Sequence, residues 1–352
     1  METVYIVEQG SQLHKDGYRL LVKKGDKVID EVKTADLEQI ILLGNVIITP
    51  PVIDHLIHER VDTVFLSLSG RFRGRLLTQF TKNVLLRQQQ YIKFSDADFS
   101  LRFARALVVG KINNQRIFLM RHNRKLKDDD IAAAVGRMRI ALEEAHGATS
   151  VNSLMGIEGM SGRAYFLVFN KLISNEDFVF NGRNRRPPRD PVNALLSFGY
   201  TMLANAVETA INIVGMDPYL GAFHSAEYGR PSLVCDLMEE FRAFFVDSLV
   251  ITLLNKRIVT PQDFIYREVS ESDGFLDEDE DRIPEDKLPV SMKRETLKGF
   301  VRIFEQKMAT TVYYEPTGEN LTYRQVIVNQ VRQCARLLLG KQQEYKPFIW
   351  TH

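Results

Sequence analysis

With 352 residues, 45% apolar and 26% charged side chains, the chain has the length of about two domains and too much apolar content for global disorder. Its 46 Lys plus Arg balance 45 Asp plus Glu, a net charge of +1 that excludes a polycation but permits local basic patches. Two cysteines, Cys235 and Cys334, exclude a disulfide scaffold and a CxxC zinc site; without an N-terminal signal or an apolar span, a soluble cytoplasmic protein away from membranes is expected.

Taken in order, residues 2–75 read as β-rich. Short apolar runs at Val4–Val7, Tyr18–Val22, Lys27–Val32, Glu38–Leu43, Val46–Thr49 and Val61–Ser67 are spaced by turns, with a hairpin expected at Lys24-Gly25-Asp26. Pro50-Pro51 opens a short helix over about 52–60. Arg71, Arg73 and Arg75 share one side of an extended segment, either as edge-strand protection or as phosphate contacts. Beyond residue 82 the apolar period changes from two to 3.6. Helices are expected at about 84–91, 96–121, 128–146, 190–214, 232–256, 295–311 and 323–339. The fold class is therefore α+β, a small N-terminal β-rich domain over residues 1–80 followed by a large all-α domain over 81–352. Asp277–Asp281 reads as a solvated acidic insertion, since it lacks the sixth-position glycine of a calcium loop.

Three stretches carry chemistry. In the first, His224 sits in a Gly/Pro-bounded turn before one long, nearly all-apolar helix from Ser232 to Lys256. Stepped at 3.6 residues per turn, Asp236, Glu239, Glu240 and Asp247 fall in one arc of about 100° with no Lys or Arg in it, so a compensating cation is expected. These acids are either a solvated rim, with Glu239 bridged to Arg242, or a metal site. Carboxylates with an imidazole suit Mg²⁺ or Mn²⁺. In the second stretch, Gly156, Gly159 and Gly162 flank Glu158, and glycine costs a helix roughly 1 kcal/mol against alanine. They make sense if something approaches that backbone. In the third, Arg183, Arg185, Arg186 and Arg189 crowd a Pro-stiffened loop that invites phosphates, followed by a helix started at Asp190-Pro191 whose Asn193 and Ser197 need partners. Arg163, next to Gly162, is grouped with these phosphate-seeking cations.

Together, Gly-Ile-Glu-Gly159, Arg-Pro-Pro-Arg-Asp-Pro-Val-Asn-Ala-Leu-Leu-Ser-Phe-Gly-Tyr200 and His224 followed by Arg-Pro-Ser-Leu-Val-Cys-Asp-Leu-Met-Glu-Glu-Phe-Arg242 resemble the CRISPR-associated adaptation integrase, the "Cas-one" family of prokaryotic antiviral defence. The resemblance covers nearly the whole chain. It implies a metal-dependent DNA endonuclease and integrase that inserts short fragments into a repeat array. Glu158, His224 and Glu239 would be the Mg²⁺ or Mn²⁺ ligands, with Asp236 as an accessory catalytic carboxylate. It also implies double-stranded and branched DNA as substrate, a homodimer formed through the N-terminal domain, and a small "Cas-two" partner protein. That domain has a thin core, and its runs Ile40–Leu43 and Val46–Ile48 need cover. A stand-alone metal-dependent nuclease and a DNA-binding scaffold with a vestigial site are the rival readings.

Overall fold

Short strands need a common apolar face to bury, and the first eighty residues supply two. In the computed structural model, which describes residues 2–68, 70–76, 83–184, 187–224, 227–266 and 289–350, they form two four-stranded sheets. One carries parallel β1 (Glu2–Ile6), β5 (Leu37–Leu43) and β7 (Asp62–Leu66), closed by antiparallel β8 (Phe72–Leu76) at its edge. The other joins β2 (Ser11–Asp16), β3 (Arg19–Lys24) and β4 (Lys27–Lys33) as an antiparallel meander, with β6 (Val46–Ile48) parallel to β2. Leu13, Leu20, Val22, Ile40, Leu42, Val52 and Leu56 meet in the core, the last two from helix α1 (Pro50–His58). The expected hairpin turn is present, with Gly25 at φ +58°. Strand β2 was not readable in the sequence, because Leu13 is its sole apolar residue.

The chain divides into two compact units, Met1–Phe80 with Asp263–Glu305, and Thr81–Gln262 with Gln306–His352. In the first unit, β9 (Phe264–Tyr266) pairs with β10 (Val290–Met292), and the returning segment is tied to β1 by Tyr5 Oη donating to Glu305 at 2.9 Å. Arg294 and Glu8 pair as well.

The second unit is mainly helical, as its 3.6-residue periodicity requires. Its elements are α2 (Val84–Ser95), α3 (Ala97–Leu126), α4 (Asp129–Gly147), α5 (Val151–Leu167), α6 (Pro191–Val214), α7 (Ser232–Met238), α8 (Ser248–Asn255), the end of α9 (Arg294–Met308) and α10 (Tyr323–Leu338). One hairpin, β11 (Thr311–Tyr314) with β12 (Glu319–Thr322), interrupts the helices. Asp96, Asp128, Ser150 and Asp190 each cap the helix that follows by accepting backbone N–H bonds. Helices α3, α4 and α5 pack together, α10 lies on α6, and the segment after α7 lies on α3. No helix among the described residues is long and apolar enough to cross a membrane.

Candidate functional site

The single regular helix expected over Ser232–Lys256 is not found. Helix α7 stops at Met238, a tight 3₁₀ turn takes Glu239–Phe241, a wide π segment takes Arg242–Asp247, and α8 then resumes. Tightening and widening the turns moves successive side chains off a common arc. The four acids are not a solvated rim either: Asp236, Glu239, Glu240 and Asp247 are all buried, and each faces a different partner.

Asp236 ties the histidine loop to α7. Its Oδ2 accepts from the backbone N–H of Ala222 (2.7 Å) and Phe223 (3.0 Å), and its Oδ1 from the N–H of His224 (2.9 Å). His224 Nδ1 lies 2.7 Å from the same Oδ1. A carboxylate partner there assigns the proton to Nδ1 and leaves Nε2 with its lone pair. The crossing is close: a Cβ on Gly221 would lie 2.5 Å from Asp236 Oδ2 and 2.8 Å from the Ser232 carbonyl carbon, so only glycine fits.

Glu239 meets Glu158 through one cation. Lys111, on the buried side of α3, places Nζ 2.7 Å from Glu239 Oε2 and in hydrogen-bond contact with Glu158 Oε1 on α5. Arg242 Nη2 takes the other oxygen of Glu239 at 3.2 Å. Burial alone would raise the pKa of Glu239, but Arg242 first, then Lys111 and His224, hold it down to about 2. The compensating charge demanded by the acidic stripe is thus supplied by Arg242 from the helix itself and by Lys111 from a helix more than a hundred residues earlier. Lys111 is thus the charge partner of Glu239 Oε2 as well as of Glu158. Among the described residues, no three His, Cys, Asp or Glu side chains close around a single point. Lys111 stands between the two carboxylates, and His224 turns its Nδ1 edge onto Asp236.

The donor set nevertheless suits a divalent cation. Two carboxylates converge on one positive charge, and an imidazole stands within electrostatic reach of Glu239.

A family model described as CRISPR associated protein Cas1 matches residues 4–283. The chain belongs to the Cas1 family. The CRISPR-associated endonuclease Cas1 3 of Thermus thermophilus is 35% identical over 347 residues, covering 98% of this chain and 96% of that protein. Among solved structures, a casposase bound to integration product matches with a TM-score of 0.82 at 23% identity, over 100% of this chain and 95% of that one. A chain of a Cas6-RT-Cas1–Cas2 complex matches with a TM-score of 0.83 at 22% identity, this whole chain covering 36% of that longer one.

In this Cas1 chain the arginine loop divides. Arg183 points inward: its guanidinium donates to Asn193 Oδ1 (2.7 Å) and Ser197 Oγ (3.1 Å) and lies over the Tyr200 ring. The partners that Asn193 and Ser197 required are therefore Arg183 and, for Asn193, also Asp190 and the Gly182 carbonyl. Arg189 and Arg163 are exposed, while Arg185 and Arg186 lie outside the described residues. Among the described residues, and apart from α5's own backbone and the adjoining residues, no atom comes within 4 Å of where a Cβ would stand on Gly156 or Gly159, so the surface of α5 next to Glu158 is open there.

Sequence reasoning missed Lys111, one of the two lysines on α3, and it missed the Glu240 network. The Glu240 carboxylate accepts from Gln330 Nε2 (3.0 Å), Tyr345 Oη (2.9 Å) and the Phe348 N–H (2.8 Å). Burial pushes its pKa up to about 7 against those donors. Asn114, one turn along α3 from Lys111, donates to the carbonyls of Glu240 and Phe348 and accepts from the Trp350 N–H. Residues 345–350 thus form a strap, with Phe348 stacked on Phe241 and Trp350 under Arg121, that holds the Glu239 turn against α3.

Proposed function

We propose that this Cas1 chain is a metal-dependent DNA endonuclease and integrase of CRISPR adaptation, joining short DNA fragments to a repeat by attack of a 3′-hydroxyl on a phosphodiester. The observation that carries this reading is the convergence of Glu158 and Glu239 on one cation beside His224. Glu158, Glu239 and His224 Nε2 would hold Mg²⁺ or Mn²⁺. The ion, when bound, neutralises charge on the phosphodiester and lowers the pKa of the attacking hydroxyl or water.

The chain's own residues do the rest. Asp236, with both oxygens engaged, acts by fixing the ring and tautomer of His224, and Glu239 is the freer ligand of the two acids. The open face of α5 at Gly156 and Gly159 admits a DNA backbone next to Glu158. Arg163, Arg185, Arg186 and Arg189 would bind flanking phosphates of double-stranded or branched DNA, positioning it without reading bases. Arg183 would hold the loop rather than the phosphate. A homodimer joined by a small Cas2-type partner would present two sites to the two ends of one fragment, a reading supported by the likeness to a chain of a Cas1–Cas2 complex.

The test is cleavage and joining of labelled DNA with Mn²⁺ or Mg²⁺. Glu158→Ala, His224→Ala and Glu239→Ala are each expected to abolish both reactions with the fold intact by circular dichroism, because ligands acting as a unit fail together. Asp236→Asn should leave a residue of activity, lower by about 10–100-fold. Near wild-type rates in any of the three alanine variants at saturating metal remove that residue from the ligand set. Cleavage without joining, even with a partner protein present, would make the chain a nuclease alone.

A further inference from the structure

We propose that Lys111 is a built-in counter-ion that makes divalent-cation binding conditional on DNA. The inference rests on the metal-site reading above and concerns the charge balance of that same site. Glu158 and Glu239 carry two negative charges, and Lys111 and Arg242 already match them with two positive ones. The side chain of Lys111 is 11% exposed and that of Glu239 5%, while Glu158 at 24% opens towards the surface. Asp236 is a third carboxylate next to them, with its oxygens held by two backbone N–H groups, the His224 N–H and the His224 ring.

A divalent cation entering between Glu158 and Glu239 therefore meets an ammonium at the point where the two carboxylates converge. It would bring two further positive charges to a poorly solvated point that an ammonium already occupies. Arg242 is held a second time, with its guanidinium over the Tyr200 ring. Lys111 can yield: its long stem lets the ammonium swing off both carboxylates, provided an anion receives it. A DNA phosphodiester over the open face of α5 is such an anion. It supplies a further negative charge and a new partner for Nζ at once. Cation and DNA then each tighten the other's binding by the same factor, as linkage requires.

The experiment measures Mn²⁺ affinity of the full chain by paramagnetic resonance of free Mn²⁺, with and without a short DNA duplex, the duplex alone serving as blank. For the wild-type chain, DNA is expected to tighten Mn²⁺ binding by about 5–150-fold, the range of ordinary site-to-site coupling. Lys111→Met, one atom shorter and uncharged, should bind Mn²⁺ at least about tenfold more tightly without DNA and lose most of the coupling. Lys111→Arg should keep the coupling. An unchanged Mn²⁺ affinity in Lys111→Met overturns the proposal, and so does a wild-type affinity indifferent to DNA. The wild-type comparison decides alone if Lys111→Met fails to fold. A failure of the metal-site reading looks different: Glu158→Gln and Glu239→Gln would then bind Mn²⁺ as the wild type does, in every arm.

Discussion

Asp247 lies 1% exposed between two tyrosines, accepting from Tyr165 Oη at 2.7 Å and Tyr200 Oη at 2.5 Å. Burial raises its pKa to about 6 from 3.8, although the two hydroxyls and then Arg242 and Arg183 oppose the rise; Lys307 also faces it. The folded state therefore binds its proton more tightly than the unfolded state does. The stabilising contribution is complete below pH 4 and is lost as pH rises through about 6. Asp247→Asn should remove that dependence, so that the variant gains on the wild type by about 2–3 kcal/mol between pH 4 and pH 7. Urea unfolding at the two pH values checks this, and a difference that does not change with pH shows an ordinary carboxyl. At this scale the sequence was legible where a residue's neighbours in the chain reveal its task. Glu158 stands among glycines, His224 in a bounded turn, Asp236 and Glu239 on an apolar stretch. It was not legible where partners come from afar. Tyr165 reaches Asp247 across 82 positions, and Lys111 reaches Glu239 from α3. Nothing local distinguishes Lys111 from a surface lysine.

The elements were read well where caps and breakers mark them. Asp190 does accept from the Asn193 N–H, and α6 does end at Gly215, which adopts φ +93°. The broken helix after Met238 has no such mark, because apolar residues on every side fit a 3.6-residue spiral as well as a 3₁₀ turn followed by a π turn. What sustains the wide turn is remote: Lys307 donates to the carbonyls of Phe244 (2.8 Å) and Phe245 (2.7 Å) and to Ser248 Oγ. The strap is remote as well, and its knot is Asn114. Replacing Asn114 by alanine strands two buried carbonyls and one N–H, each costing about 1–3 kcal/mol. Asn114→Ala is expected to lose about 3 kcal/mol or more of stability. An unfolding midpoint equal to that of the wild type would mean that residues 345–350 do not depend on this hub.

For the whole molecule, the oligomeric state is the open quantity. The apolar run Ile40–Leu43, expected to need a partner's cover, is buried within the first unit itself. Exposed apolar side chains remain at Val28, Ile29 and Ile47. We expect light scattering at micromolar concentration to give the mass of two chains, and a monomer there removes the dimer reading. Deleting residues 1–80 would be a poor test, because Asp263–Glu305 belongs to the same unit and would lose its packing. The strap has a bearing on how the protein comes into being. Lys111, Glu158, His224 and Glu239 have all been translated about a hundred residues before Phe348. At roughly 5–20 residues per second that gap lasts several seconds or more. Throughout it, Glu240 lacks the Tyr345 hydroxyl and the Phe348 N–H, and the turn that presents Glu239 is held to α3 by the Lys111 and Asn114 contacts without the strap. A copy stalled before residue 345 therefore carries Glu158, His224 and Glu239 without the contacts that Tyr345, Phe348 and Trp350 add around them.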